Sequence, residues 1–183
     1  MNARLHLAAL AASTVFAATP ALADEYVCTG SVGSASLDNI FVPDGATCSL
    51  DRTRAKGNIV VGTGASLYAR SISINGNIQA EGAQLVNLGG TSSVGGSVQL
   101  VQGGSATIAG VNIKGSLQME SNNGPLKASN NTIGADLQAF QNSGGVRLVK
   151  NRIDGNLQCK ENRPAPTGQG NRADSKEDQC ARL

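Results

Sequence analysis

Apolar and polar residues alternate along most of the chain, as in Ile113-Lys114-Gly115-Ser116-Leu117-Gln118-Met119, and again in Leu126-Lys127-Ala128 and Val146-Arg147-Leu148. A period of two marks strands with one face buried. The alternation itself recurs: "GNIQA" at 76–80, "GSVQL" at 96–100, "GSLQM" at 115–119, "ADLQA" at 135–139 and "GNLQC" at 155–159 are one motif. Its aliphatic residue forms a column, Ile40, Ile59, Ile78, Val98, Leu117, Leu137 and Leu157, in steps of 19, 19, 20, 19, 20 and 20 residues. A second apolar column lies four residues earlier (Ala55, Ile74, Val94, Ile113, Ile133, Ile153). A third lies eight or nine later (Cys48, Leu67, Val86, Ala106, Leu126, Val146).

Between the strands sit clusters such as Gly62-Thr63-Gly64, Gly103-Gly104 and Ser121-Asn122-Asn123-Gly124, residue types that supply the positive φ of tight corners. Each repeat is therefore two or three short strands, too small to bury a core alone. Stacked coils solve this, since each covers the apolar residues of the next. The expected fold is all-β: a single-domain right-handed parallel β-helix of roughly six or seven coils of 19–20 residues. Its hand is read from coil length and variable corners, because the six-residue aliphatic rhythm of left-handed helices is absent. A column of Gly57, Gly76, Gly96, Gly115 and Gly155, with Ala135 the exception, predicts a bend too crowded for a larger side chain.

The two ends differ from the body. Residues 1–23 carry Arg4, an apolar run from Leu5 to Ala18 and the small-residue site Ala21-Leu22-Ala23, the pattern of a cleavable secretory signal peptide. The mature chain would run from Asp24 to Leu183, with residues 24–50 as an N-terminal cap and first coil, 51–159 as the β-helix and 160–183 as a C-terminal cap. In that cap Glu177 is expected where the next aliphatic should fall. All four cysteines lie in the exported part, where thiols are usually oxidised. Cys28 precedes Cys48 by one coil length, and Cys180 follows Cys159 by one, so Cys28–Cys48 and Cys159–Cys180 are expected to staple the two ends.

Charge narrows the partners. Removing Arg4 from the 15 Lys and Arg leaves 14 against 13 Asp and Glu. That balance argues against nucleic acid and against an anionic membrane surface, both of which favour concentrated positive charge. No segment after the leader is apolar for long enough to span a bilayer.

Two outward columns are candidates for binding. Gln79, Gln99, Gln118, Gln138 and Gln158 each follow an inward residue, so they stack at coil spacing. They are expected to form an amide ladder, or alternatively a flat face for a repetitive partner such as a glycan, another copy of the protein or, least of all, ice. The neighbouring column Ser49, Tyr68, Asn87, Thr107, Lys127 and Arg147 turns basic toward the C-terminus, with Lys150, Arg152 and Lys160 nearby. It reads as a solvated face or as a surface for an anionic polysaccharide.

Catalytic groups are scarce. The sole histidine, His6, belongs to the leader, which removes histidine-based nucleophile pairs and metal sites. Between Gly57 and Leu157 the carboxylates are Glu81, Glu120, Asp136 and Asp154. Only Glu120 and Asp136 could approach across coils as a glycosidase pair, but they occupy different columns and no aromatic platform for sugars accompanies them. No catalytic residue, metal or cofactor is expected. "GTGASL" at 62–67 has no helix after it to aim amides at a phosphate and reads as a corner. "NNT" at 130–132 matches a glycosylation acceptor, but an asparagine column running to Asn151 accounts for it better.

The aliphatic-x-Gly-x-aliphatic unit of "SINGNIQAEGAQLVNLGG" at 73–90 resembles the bactofilins, right-handed β-helices that polymerise end to end as bacterial cytoskeletal filaments. Most of residues 26–183 more closely resembles secreted bacterial β-helix proteins of unassigned function, whose ends read much like "GNLQCKENRPAPTGQGN" at 155–171 and the final "DQC" at 178–180. Bactofilins are described as cytosolic and without disulfide caps, whereas this chain carries a leader and four cysteines. The resulting expectation is an exported, non-enzymatic β-helix serving as a cell-surface or extracellular structural or interaction module. The alternatives are a polysaccharide-binding or polysaccharide-cleaving protein and an end-to-end polymer.

Overall fold

The computed structural model describes residues 24–183, and the leader read at 1–23 lies outside the described residues. The described residues wind as a parallel β-solenoid, with no helix among them and three sheets running along its length, of nine, eight and seven strands. One coil shows the plan. Ile78–Glu81 belongs to the nine-stranded sheet, Leu85–Gly89 to the eight-stranded sheet and Ser93–Val94 to the seven-stranded sheet. Each pairs with the strand one coil above and one coil below, always in parallel.

The repeat spacing read in the sequence is the register of these pairs: Ile40, Ile59, Ile78, Val98, Leu117, Leu137 and Leu157 are Cα partners in succession. All seven are fully buried. The second and third columns are buried too, and the three rows form one continuous aliphatic core along the axis.

The solenoid makes about eight turns, one or two more than the aliphatic columns predict. Strands continue beyond the columns at both ends. Tyr26 pairs with Ile40, and Ser175–Asp178 pairs with the strand Asn156–Lys160. Here the register corrects one expectation, because Lys176 rather than Glu177 lies beyond Leu157, while Glu177 lies beyond Gln158. A terminal coil covers only one neighbour, so its inward positions need not be aliphatic. Both expected disulfides are formed, Cys28–Cys48 with Cα atoms 5.5 Å apart and Cys159–Cys180 with 5.3 Å, and each joins an end of the solenoid to the coil next to it.

Corners are held by side chains as well as by glycine. Gln102, Ser121, Gln141 and Glu161 occupy one corner with φ of 53° to 57°, a left-handed conformation that costs a non-glycine residue about 1–2 kcal/mol. The residue after each turns inward. In three coils it is a buried asparagine, Asn122, Asn142 or Asn162. The Asn142 carboxamide makes all four of its hydrogen bonds. Nδ2 donates to Met119 O (2.9 Å) and Asn162 Oδ1 (2.9 Å), while Oδ1 accepts from the Asn122 backbone N–H (3.0 Å) and Asn122 Nδ2 (3.0 Å). Asn131, Asn151 and Asn171 form a matching ladder at a second corner. It is Asn131 of "NNT" that lies in this ladder, and Asn130 beside it is an exposed corner residue with φ of 55°.

The third corner explains the glycine column. Asn39, Asn58, Asn77, Ser97, Ser116 and Asp136 each accept, through a side-chain oxygen, the backbone N–H of the residue stacked above. Gly57, Gly76, Gly96 and Gly115 pass directly over these oxygens, and a Cβ at any of them would collide with the oxygen below. At the exception, Ala135, the neighbouring contact from Asp136 N–H to Ser116 Oγ is the longest of the set at 3.3 Å.

Candidate functional site

The strand containing each glutamine is fixed by the buried residues on either side of it, so the five amides are held in register on the outer face of the nine-stranded sheet. They form one chain of hydrogen bonds. Gln79 Nε2 donates to Gln99 Oε1 (3.3 Å), Gln99 to Gln118 (3.0 Å), Gln118 to Gln138 (3.1 Å) and Gln138 to Gln158 (2.8 Å). The last donor, Gln158 Nε2, reaches Glu177 Oε2 at 2.9 Å. A carboxylate can only accept, so it closes the chain at the position where a sixth glutamine would stand. Hydrogen bonds from Ser175 and then Gln158 hold the Glu177 carboxyl below its ordinary pKa. Below Gln79 the same column is apolar: Val60, Phe41 and Val27 follow in register.

The second candidate face lies on the eight-stranded sheet. Ser49, Tyr68, Asn87, Thr107, Lys127, Arg147 and Thr167 are Cα partners in succession, so the structure brings Lys127 and Arg147 onto adjacent coils, both exposed. Around the next corner Arg152 and Arg172 also face each other across coils, with exposed Lys150 between the two pairs. The ion pairs among the described residues are Arg52–Asp51, Lys56–Asp38 and Arg152–Asp154. Lys127, Arg147, Lys150 and Arg172 therefore have no carboxylate partner there. Like charges directly opposite in a sheet cost stability.

This basic column forms the floor of a groove of about 430 Å³. A single wall runs along the corner that precedes these strands, built by Pro125, Gly145 and, from the loop that follows Lys160, Pro164 and Ala165. Nothing in the periodicity of the sequence announces that wall, because the loop interrupts the repeat. The third-corner oxygens are likewise hidden from a sequence search, since Asn, Ser and Asp share one role and no single residue type recurs.

Glu120 and Asp136 are not brought together. The register sets Leu117 beside Leu137, so Asp136 is level with Ser116 while Glu120 pairs with Phe140 at the other end of the strand. Four residues of extended chain separate the two positions, on the order of 13 Å. Asp136 Oδ1 is occupied by the Asn156 backbone N–H at 2.8 Å. Among the described residues no three His, Cys, Asp or Glu side chains gather as metal ligands, and no helix is long and apolar enough to cross a membrane.

No family model, curated protein or solved structure matches this chain.

Proposed function

We propose that the protein is an exported, non-enzymatic structural or interaction module of the cell surface or the extracellular space. The observation that carries this reading is the disulfide at each end of the solenoid. Cross-links of this kind persist where the surroundings are oxidising. They tie down the two terminal coils, each covered on one side only. The leader pattern at residues 1–23 points to the same compartment. The separation of Glu120 from Asp136 removes the one carboxylate pair that favoured glycan cleavage.

A second reading, polysaccharide binding, is favoured by the groove over Lys127 and Arg147. End-to-end polymerisation, as in the bactofilins, draws support from the shared motif alone. One experiment separates these readings: passing the purified, disulfide-intact protein over bacterial cell-wall and plant polysaccharides, with light scattering across a concentration series. Retention without release of sugars, by a particle of constant mass, supports an interaction module. Release of soluble sugars would overturn the non-enzymatic reading, and mass growing with concentration would favour the polymer.

A further inference from the structure

The geometry points to the groove over Thr107, Lys127, Arg147 and Thr167 as a binding site for a linear acidic polysaccharide, one bearing a carboxylate on successive sugars. This inference rests on the polysaccharide-binding reading and names the ligand class for it. Three observations carry it. First, Lys127 and Arg147 stand directly opposite each other on adjacent strands, and neither has a carboxylate partner among the described residues. Such a pair repels itself, and a carboxylate shared between the two removes the repulsion and gains charge-assisted hydrogen bonds.

Second, the cations follow one another along the solenoid axis at coil spacing, about 4.8 Å, which is comparable to the length of one pyranose unit. A polymer lying along the column therefore meets a positive or hydroxyl-bearing side chain at each coil. Thr107 and Thr167 flank the charged pair above and below. The strip continues around the corner through Lys150, Arg152 and Arg172, where Asp154 is the one carboxylate in contact.

Third, the lining does not suit single-stranded nucleic acid. Pro125, Pro164 and Ala165 offer aliphatic C–H surface for the faces of pyranose rings. No aromatic side chain lines the groove, and bases held in single-stranded form call for aromatic stacking platforms.

The test is a binding titration of the purified, disulfide-intact protein with polygalacturonate, with its fully methyl-esterified form and with a single-stranded DNA of equal charge. Polygalacturonate is expected to bind in a salt-sensitive manner, and the methyl ester and the DNA far more weakly. The double variant Lys127→Ala with Arg147→Ala is expected to weaken polygalacturonate binding by roughly tenfold or more. Arg54→Ala with Lys114→Ala, cations of the seven-stranded side, should change it less than about twofold. The groove variant relieves a repulsion, so its thermal midpoint should be equal to or above that of the parent, which separates lost binding from lost folding. Equal binding of ester and acid would overturn this inference while leaving a polysaccharide-binding protein. Equal binding of DNA would overturn it in favour of non-specific polyanion attraction. No binding of any polymer would overturn both this inference and the reading on which it rests.

Discussion

Asn142 and Gln118 are both amides in ladders, yet their surroundings give them unequal weight. Asn142 is buried, and removing its side chain leaves the Asn122 N–H and the Met119 carbonyl without those partners in the interior. Each such group costs about 1–3 kcal/mol. Gln118 lies on the outer face, where water can replace its two ladder bonds. Asn142→Ala is therefore expected to lower stability by about 2–3 kcal/mol and Gln118→Ala by less than about 1 kcal/mol, as read from urea unfolding. Equal losses would mean that the outer ladder contributes as much as the inner one. The glutamine column was legible in the sequence because one residue type recurs at one spacing. Its closing residue was not. Glu177 looked like a polar intruder into the aliphatic column until the register placed it beyond Gln158.

The strand and its corner are the elements from which the coil is built, and at this scale the sequence was most informative. Three apolar columns at nearly constant offsets pointed to two or three strands in each coil, and the structure has three, because burial on one side of a strand demands period two and stacking demands a nearly constant coil length. Corners were less legible, since their φ is carried by Gln, Ser, Asn, Lys, Arg and Glu as well as by Gly. The crowded glycines allow a controlled test. In Gly96→Ala the new methyl would collide with Asn77 Oδ1, which accepts the Ser97 N–H at 2.8 Å, so a loss of about 1–3 kcal/mol is expected. At Gly89 a Cβ would meet only the Ala109 carbonyl oxygen, at an ordinary 3.7 Å. Gly89→Ala should be neutral or stabilising by up to about 1 kcal/mol, through the unfolded chain. Thermal melts of the two variants give opposite shifts if the crowding at the third corner is as described.

For the whole molecule the vulnerable places are the ends, where each outer coil is covered once. The extra coils there escaped the sequence because Tyr26 and Lys176 stand in the aliphatic column. Both ends also carry a carboxyl held below its ordinary pKa: Asp38 by its hydrogen bond to Lys56 at 2.8 Å and that charge, and Glu177 by Ser175 and Gln158. A depressed carboxyl adds stability that is present above the unfolded pKa and is lost as pH falls through the folded one. Amide exchange should therefore accelerate first in the strands Asn39–Val42 and Ser175–Asp178 below about pH 4, with Leu117–Glu120 still protected. Uniform loss of protection would show that the ends do not respond separately. The closing carboxylate has a second consequence. Every amide of the outer glutamine ladder donates toward the C-terminal end. Aligned amide dipoles add, as they do along an α-helix, so this row gives the outer face of the nine-stranded sheet an electrical direction, positive where the last N–H group emerges. Glu177 puts a negative charge at that pole, the counterpart of an acidic residue at the start of a helix.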